Sequence, residues 1–198
     1  MANKDEIRDE LVQTARSVFA RYGFRKTTME DIAQAAGKGK STLYYYFKNK
    51  EEVFRAVVEY EGNLLKNELL DVINDPKRDA RQILHDYVII RWKGFDKLVN
   101  LYETMKKDFL NNYEFIQKYR RVYDDLEVKF MDVILQKGIA DGQFKIAEED
   151  REAVAFTIVL AMKALEIPVF AENKFDNLET RLNALLNVLF YGIVNHRN

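Results

Sequence analysis

Apolar residues recur along this chain at intervals of three and four, rather than alternating with polar ones. This is the period of an amphipathic α-helix, and only two prolines and eight glycines interrupt it. The first apolar stripe lies within residues 4–22 and is followed by Gly23, a suitable helix stop. The pattern predicts an all-α protein of about nine helices.

Stop and start signals divide the chain between these helices. Asn49, with Glu52 three residues later, predicts a capped start for the fourth helix, and the Asn74-Asp75-Pro76 segment ends it. This helix would connect the N-terminal part of the chain to the rest. The predicted helices cover residues 4–22, 29–36, 41–47, 50–73, 78–96, 98–110, 113–140, 148–167 and 177–194.

Residues 27–50 predict two short helices joined by a glycine turn. Thr28 is a suitable N-cap, and Asp31 three residues later completes a capping-box pattern. Leu43 and Phe47 lie four residues apart, so both should point inward from the second of these helices. The segment therefore has the organisation of a helix-turn-helix.

The remaining positions of this helix, with Lys40 just before it, should face outward as a surface of hydroxyl and ammonium groups. They are Lys40, Ser41, Thr42, Tyr44, Tyr45 and Tyr46. Three consecutive tyrosines cannot all face inward on one helix, so at least one is exposed. A polar face on a helix held by apolar neighbours suits the major groove of DNA.

Charge is distributed unevenly along the chain. The net charge is −1, but residues 1–50 carry +4 and the remainder carries −5. A basic N-terminal part joined to an acidic remainder fits a DNA-binding domain attached to another domain. We predict a helix-turn-helix domain at residues 1–48 and a ligand-binding and dimerisation domain at residues 49–198.

Other chemistries find little support in the sequence. The Gly37–Thr42 segment, GKGKST, is similar to a nucleotide-binding P-loop, but Gln34 stands where that motif needs its first glycine, and a helix precedes it. The chain has no cysteine, and its two histidines, His85 and His196, are far apart. We therefore expect no metal, no cofactor and no enzymatic activity.

The N-terminus has no signal-peptide pattern, and no apolar run is long enough to span a membrane. These features predict a cytoplasmic protein without a membrane partner.

Aromatic and methionine side chains are frequent between residues 87 and 162. They could form an ordinary core, or they could line an apolar cavity with a few polar groups, which is how ligand pockets are usually built. Arg91 and Glu166 could orient a polar group of a ligand or pair at the surface. The predicted ligand-binding residues are Arg91, Trp92, Tyr102, Met105, Phe109, Phe130, Phe156, Met162 and Glu166.

The last helix carries more leucine than one side of a surface helix needs. This excess predicts a dimer interface, and burial within the chain is the alternative. The predicted interface residues are Val154, Ile158, Leu182, Leu185, Leu186, Leu189 and Phe190.

The N-terminal motifs resemble the tetracycline-repressor (TetR/AcrR-like) family of transcriptional regulators. The resemblance covers roughly residues 7–60 and rests on Phe19 with Gly23-Phe24, on TTMEDIAQAAG and on STLYYYFKNKEEVF. A weaker similarity is GIADGQF at residues 138–144. The resemblance implies an all-helical homodimer with a three-helix DNA-binding head. It also implies a C-terminal domain that binds a small molecule and dimerises through its last two helices.

The same resemblance implies roles for individual residues. Base contacts fall to Lys40, Ser41, Tyr44 and Tyr45, and phosphate contacts fall to Thr28, Thr42, Tyr46 and Lys50. Lys50, in the first turn of the fourth helix, would be placed to reach a phosphate.

The chain departs from the family pattern at the turn. Gly39 stands where a capping serine is common, so the phosphate contact of that serine is absent, and we expect Lys38 to replace it electrostatically. Ser41 stands where glycine is common, which would change how closely the helix approaches the bases.

The predicted function is a ligand-responsive transcriptional regulator. It would act as a repressor that a small, mostly apolar effector releases from double-stranded operator DNA. The alternative is a small-molecule binding protein or a helical enzyme that does not bind DNA.

Overall fold

The computed structural model describes residues 4–94, 123–166 and 177–191, which form only helices and connecting turns. The helices are α1 (Lys4–Tyr22), α2 (Met29–Ala35), α3 (Lys40–Tyr46), α4 (Lys50–Ile73), α5 (Ala80–Lys93), α6 (residues 123–140), α7 (Arg151–Glu166) and α8 (Leu178–Tyr191). A 3-10 turn at Glu148–Asp150 precedes α7. The predicted all-α class is confirmed.

The helices form two compact units. The first contains the described residues up to Leu65, and the second begins at Lys66, so α4 contributes to both. Helices α1 to α3 belong to the first unit, and α5 to α8 belong to the second. The domain division at residues 48 and 49 stays a prediction.

An aromatic cluster closes the core of the first unit. Helix α1 has the predicted bounds, and Gly23 ends it with a φ of +81° that a residue with a Cβ rarely adopts. The chain then brings Phe24 against Phe19 and Phe54, with ring centroids 5.8 and 4.8 Å from that of Phe24. This packing fixes the turn between α1 and α2 against the start of α4.

Capping side chains set the starts of α4 and α5. The Oδ1 atom of Asn49 accepts the Glu52 N–H at 2.9 Å, as predicted, but the Glu52 carboxylate accepts the Lys48 N–H instead of that of Asn49. Helix α5 begins two residues later than predicted, because Asp79 and Gln82 form a reciprocal capping box.

Other predicted helices are described only in part. The helix predicted at residues 98–110 lies outside the described residues, as do residues 113–122 of the next one and residues 192–194 of the last. Among the described residues, no helix has the length and apolar character needed to cross a membrane.

The end of α6 depends on a close approach of Gly138 to an aromatic ring. The helix continues past Gly138 to residue 140, and Gly142 reverses the chain with a φ of +67°. The Gly138 carbonyl oxygen then accepts the N–H groups of Gln143 and Phe144, at 2.8 and 2.9 Å. A Cβ atom at residue 138 would lie 1.9 Å from Cδ2 of Phe144, so glycine alone fits there without movement of the ring.

Helix α8 packs against α5 in the second unit. Leu182 and Leu186 are buried, and between them Asn183 accepts a hydrogen bond from Nε2 of His85 at 2.8 Å. The other ring nitrogen lies 2.9 Å from the Asp86 carboxylate, and this hydrogen bond raises the pKa of His85. The His85 side chain therefore links the two helices.

Candidate functional site

The turn between α2 and α3 is built by local hydrogen bonds. The Thr28 hydroxyl accepts the Asp31 N–H at 3.2 Å, and the Asp31 carboxylate accepts the Thr28 N–H at 2.8 Å, which confirms the predicted capping box. Gly37 takes a φ of +62°, and the Lys38 N–H reaches back to the Ala33 carbonyl at 3.0 Å. The start of α2 and the turn into α3 are thus defined by the sequence itself.

The capping box affects the phosphate contact predicted for Thr28. Its hydroxyl donates to the Asp31 carboxylate at 2.7 Å, and these hydrogen bonds lower the pKa of Asp31. A phosphate at this hydroxyl would compete with an ionised carboxylate. The contact stays a prediction, with this competition as its cost.

Helix α3 is anchored by two buried side chains and presents a polar face to solvent. Leu43 and Phe47 are buried, as predicted, whereas Tyr44 and Tyr45 are 51% and 68% exposed. Lys40 and Ser41 are exposed, and Thr42 and Tyr46 are half-buried. The N-cap of α3 is Gly39, which has no side chain to accept a hydrogen bond from the first turn of the helix. The polar face is therefore available to a large partner.

Two lysines beside this face are paired with glutamates at the surface. The Lys40 ammonium lies 2.6 Å from the Glu30 carboxylate, and that of Lys38 lies 3.0 Å from the Glu10 carboxylate. Exposed ion pairs contribute only ~0–1 kcal/mol, so phosphate groups could replace the glutamates at little cost.

Helix α1 adds two cations to the same region, which the sequence analysis did not identify. The Lys4 ammonium lies 5.0 Å from the centroid of the Tyr45 ring, and the Arg8 guanidinium lies 5.4 Å from that of Phe47. A hydrogen bond to Tyr45 raises the pKa of Lys4. Lys4 and Arg8 lie four residues apart, and this spacing in the sequence could have indicated that they share one face of α1.

Lys50 makes contacts that differ from its predicted role. Its ammonium donates to the carbonyl oxygens of Phe24 and Thr27, both at 2.9 Å, and lies 3.4 Å from that of Arg25. It also lies 4.6 Å from the centroid of the Phe24 ring. Lys50 thus holds the turn between α1 and α2, and a phosphate contact would have to compete with these carbonyl groups.

A buried ion pair lies in the second unit. Arg91 is 1% exposed, and its Nε and Nη2 atoms each donate to a carboxylate oxygen of Glu127 at 2.9 Å. One helical turn earlier, Tyr87 is completely buried, and its hydroxyl has no hydrogen-bond partner among the described residues. Burial, followed by the charge of Glu127, raises the pKa of Tyr87, while Arg91 acts in the opposite direction. The hydroxyl therefore stays protonated and remains a donor.

The other predicted ligand-binding residues occupy different environments. Trp92, Phe130 and Met162 are buried in the second unit, whereas Phe156 is 56% exposed, which fits an outer surface better than a cavity lining. Three of the predicted residues, Tyr102, Met105 and Phe109, lie outside the described residues. Glu166 ends α7, but its side chain lies outside the description.

The predicted dimer residues divide between two faces of the last helices. Leu182 and Leu186 are buried within the chain, whereas Leu185 and Leu189 on α8 are 57% and 56% exposed. Val154, Ile158 and Phe190 are half-buried. Those three residues and Leu189 help to line an open cavity of about 360 Å³. One side of α8 thus packs into the core, and the other side exposes apolar side chains to solvent.

Comparison with known proteins agrees with the helix-turn-helix. The family model described as "Bacterial regulatory proteins, tetR family" matches residues 11–57, from within α1 to within α4. The HTH-type transcriptional repressor KstR2 of Mycolicibacterium smegmatis is 28% identical over 142 residues, which cover 70% of this chain and 67% of the repressor.

Solved structures agree over nearly the whole chain. A transcriptional regulator from Cytophaga hutchinsonii is 28% identical and superposes with a TM-score of 0.75, covering 92% of this chain and 95% of that one. The regulator FadR from Bacillus subtilis, solved in complex with stearoyl-CoA, is 23% identical with a TM-score of 0.63, covering 94% and 99%. The family match identifies residues 11–57 as a helix-turn-helix of the tetR family, and over most of its length the chain is similar in sequence and fold to TetR/AcrR-like transcriptional regulators.

Proposed function

We propose that the protein is a homodimeric repressor that a small, mostly apolar effector releases from its operator. The observation that carries this proposal is the polar face of α3, which is exposed while Leu43 and Phe47 hold the helix in place. A repressor of this kind acts on DNA, so we place it in the cytoplasm.

The two recognition helices of the dimer would read half-sites in successive major grooves, about 34–36 Å apart. We assign base contacts to Lys40, Ser41, Tyr44 and Tyr45, and phosphate contacts to Thr42, Tyr46 and Lys38. Lys4 and Arg8 add positive charge beside α3 and would strengthen the attraction to the DNA backbone.

Tyr44 and Lys40 are both assigned base contacts, but only Lys40 also brings a positive charge to the DNA, so alanine at the two positions should have different effects. We expect Tyr44→Ala to weaken operator binding by about 10-fold, because direct base contacts contribute ~1–3 kcal/mol, and to leave the salt dependence unchanged. Lys40→Ala should lower the slope of log K against log salt by about one unit. Fluorescence anisotropy on a fragment chosen by footprinting the DNA upstream of the coding region measures both quantities.

Lys137→Ala is the matched control, because Lys137 is an exposed lysine of the second unit that pairs only with Asp141 among the described residues. It should bind like the wild type. If both α3 variants bound the operator with wild-type affinity, the DNA contacts assigned to Tyr44 and Lys40 would be contradicted.

We assign the dimer interface to the exposed sides of α7 and α8. Support comes from Phe156, Leu160, Leu185 and Leu189, each more than half exposed although large and apolar. Such a concentration of exposed apolar side chains on two helices marks an association surface. A second copy would bury it and could insert side chains into the neighbouring 360 Å³ cavity.

The double variant Leu185→Glu/Leu189→Glu should be monomeric. Both side chains are exposed in the single chain, so the fold should survive, while four buried carboxylates would oppose the dimer. Light scattering after size exclusion should give twice the 23.3 kDa chain mass for the wild type and that mass for the variant. Val133→Glu, at an exposed apolar residue of α6, is the control and should remain dimeric. A monomeric wild type would contradict the proposal.

The effector site is assigned to the second unit, where Arg91, Trp92, Phe130 and Met162 are buried. An effector lowers operator affinity only as far as it binds the DNA-free state more tightly than the DNA-bound state. Because the FadR relative was solved with stearoyl-CoA, fatty acyl compounds form the first panel for a thermal-shift screen. A true effector raises the melting temperature and also releases DNA.

A further inference from the structure

Tyr87 carries a buried polar group that the packing of the described residues does not satisfy. Its side chain is 0% exposed, and its hydroxyl has no hydrogen-bond partner among those residues. Leaving a buried donor unsatisfied is unfavourable, and such groups in native proteins usually meet a water or a ligand. Tyrosine at this position is therefore informative, because phenylalanine would fill the same space without that cost.

The surroundings of the hydroxyl favour one charge type of partner. Arg91 lies one turn along α5 from Tyr87, and its guanidinium makes two hydrogen bonds to the carboxylate of Glu127. The pair carries no net charge, so it offers no uncompensated cation for a buried anion. An ionised carboxylate placed here would lose its hydration and also meet the carboxylate of Glu127. An uncharged acceptor avoids both penalties.

We propose that the Tyr87 hydroxyl is the donor that recognises an uncharged acceptor of the effector, such as the carbonyl of an ester, thioester or amide. The inference rests on the proposed effector site and adds the chemical class of the polar group. Arg91 and Glu127 act as positioning residues, because their ion pair leaves no net charge beside the Tyr87 hydroxyl.

Two probes with the same apolar chain, methyl decanoate and decanoate, test this selectivity on the full-length protein. At pH 7 the ester should raise the wild-type melting temperature more than the acid does. The Tyr87→Phe variant should bind the ester about 3- to 10-fold more weakly, as expected for one neutral hydrogen bond. Its melting temperature without a probe should equal or exceed that of the wild type, because an unsatisfied donor has been removed. Tyr191→Phe, at an exposed tyrosine of α8, is the control and should match the wild type.

Glu127→Gln extends the test. It removes one negative charge beside the hydroxyl and beside Arg91, so the binding of decanoate relative to that of the ester should increase. The proposal is overturned if the wild type binds neither probe or prefers the acid, or if Tyr87→Phe retains the ester affinity. It is also overturned if Tyr87→Phe alone lowers the melting temperature by several degrees, since the hydroxyl would then have a structural partner. Operator binding of the wild type is measured in parallel, and its absence would contradict the repressor function without affecting these outcomes.

Discussion

Replacing Glu127 with alanine is expected to lower the free energy of unfolding by about 3–5 kcal/mol, because breaking a buried ion pair leaves a charge in the interior. The Arg91 side chain is 1% exposed and loses both hydrogen bonds to the carboxylate of Glu127. Because Glu127 is itself only 16% exposed, solvent cannot replace much of the interaction. Chemical denaturation followed by circular dichroism measures the loss.

A double variant shows whether the loss comes from the Arg91 charge that has lost the Glu127 carboxylate. Arg91→Met combined with Glu127→Leu removes both charges and keeps similar volumes, so it should recover most of the stability lost in Glu127→Ala. Glu149→Ala, at an exposed acid before α7, serves as the control and should change the free energy by less than about 0.5 kcal/mol. A loss below about 1 kcal/mol for Glu127→Ala would mean that the guanidinium finds other compensation.

Lys50→Ala is expected to reduce the stability of the first unit by about 2–3 kcal/mol, because hydrogen bonds from a charged group are stronger than neutral ones. The ammonium lies within hydrogen-bonding distance of the carbonyl oxygens of Phe24, Arg25 and Thr27, and these groups would need new partners. Operator affinity should fall as the helix-turn-helix loosens, while the salt slope stays unchanged. Thermal unfolding and anisotropy measured at several salt concentrations test the two effects separately.

Lys48→Ala provides the comparison for Lys50. Lys48 is exposed, and its backbone N–H donates to the Glu52 carboxylate, a hydrogen bond that does not depend on the lysine side chain. Its removal should leave stability within about 0.5 kcal/mol. If Lys50→Ala lowered the salt slope by about one unit with little loss of stability, the lysine would contact phosphate, as the sequence resemblance implied.

Local signals predicted the first unit well. The bounds of α1 followed from its apolar stripe and from Gly23, and the start of α2 followed from Thr28 and Asp31, because these features act within a few residues of each other. The inward direction of Leu43 and Phe47 followed from helical spacing alone. Periodicity is sufficient wherever a helix packs with one face.

Contacts between distant residues could not be predicted in this way. Glu127 lies 36 positions from Arg91, and nothing in a single sequence selects it as the partner. The contacts of the Lys50 ammonium depend on which carbonyl groups of the preceding turn lack other hydrogen-bond donors. The position of Lys50 in the first turn of α4 was therefore not enough to predict them. The leucine face of α8 was likewise predicted as one surface, whereas Leu186 is buried against the chain and Leu185 is exposed.

The close packing of Gly138 against Phe144 has a genetic consequence. Alanine at residue 138 would collide with the ring, so a selection for function should reject it in the wild-type background. Shortening Phe144 to leucine would open space for the added methyl group, and the two substitutions together should survive where the first one fails. Residues 138 and 144 are therefore expected to behave as a suppressor pair, in which Phe144→Leu permits Gly138→Ala.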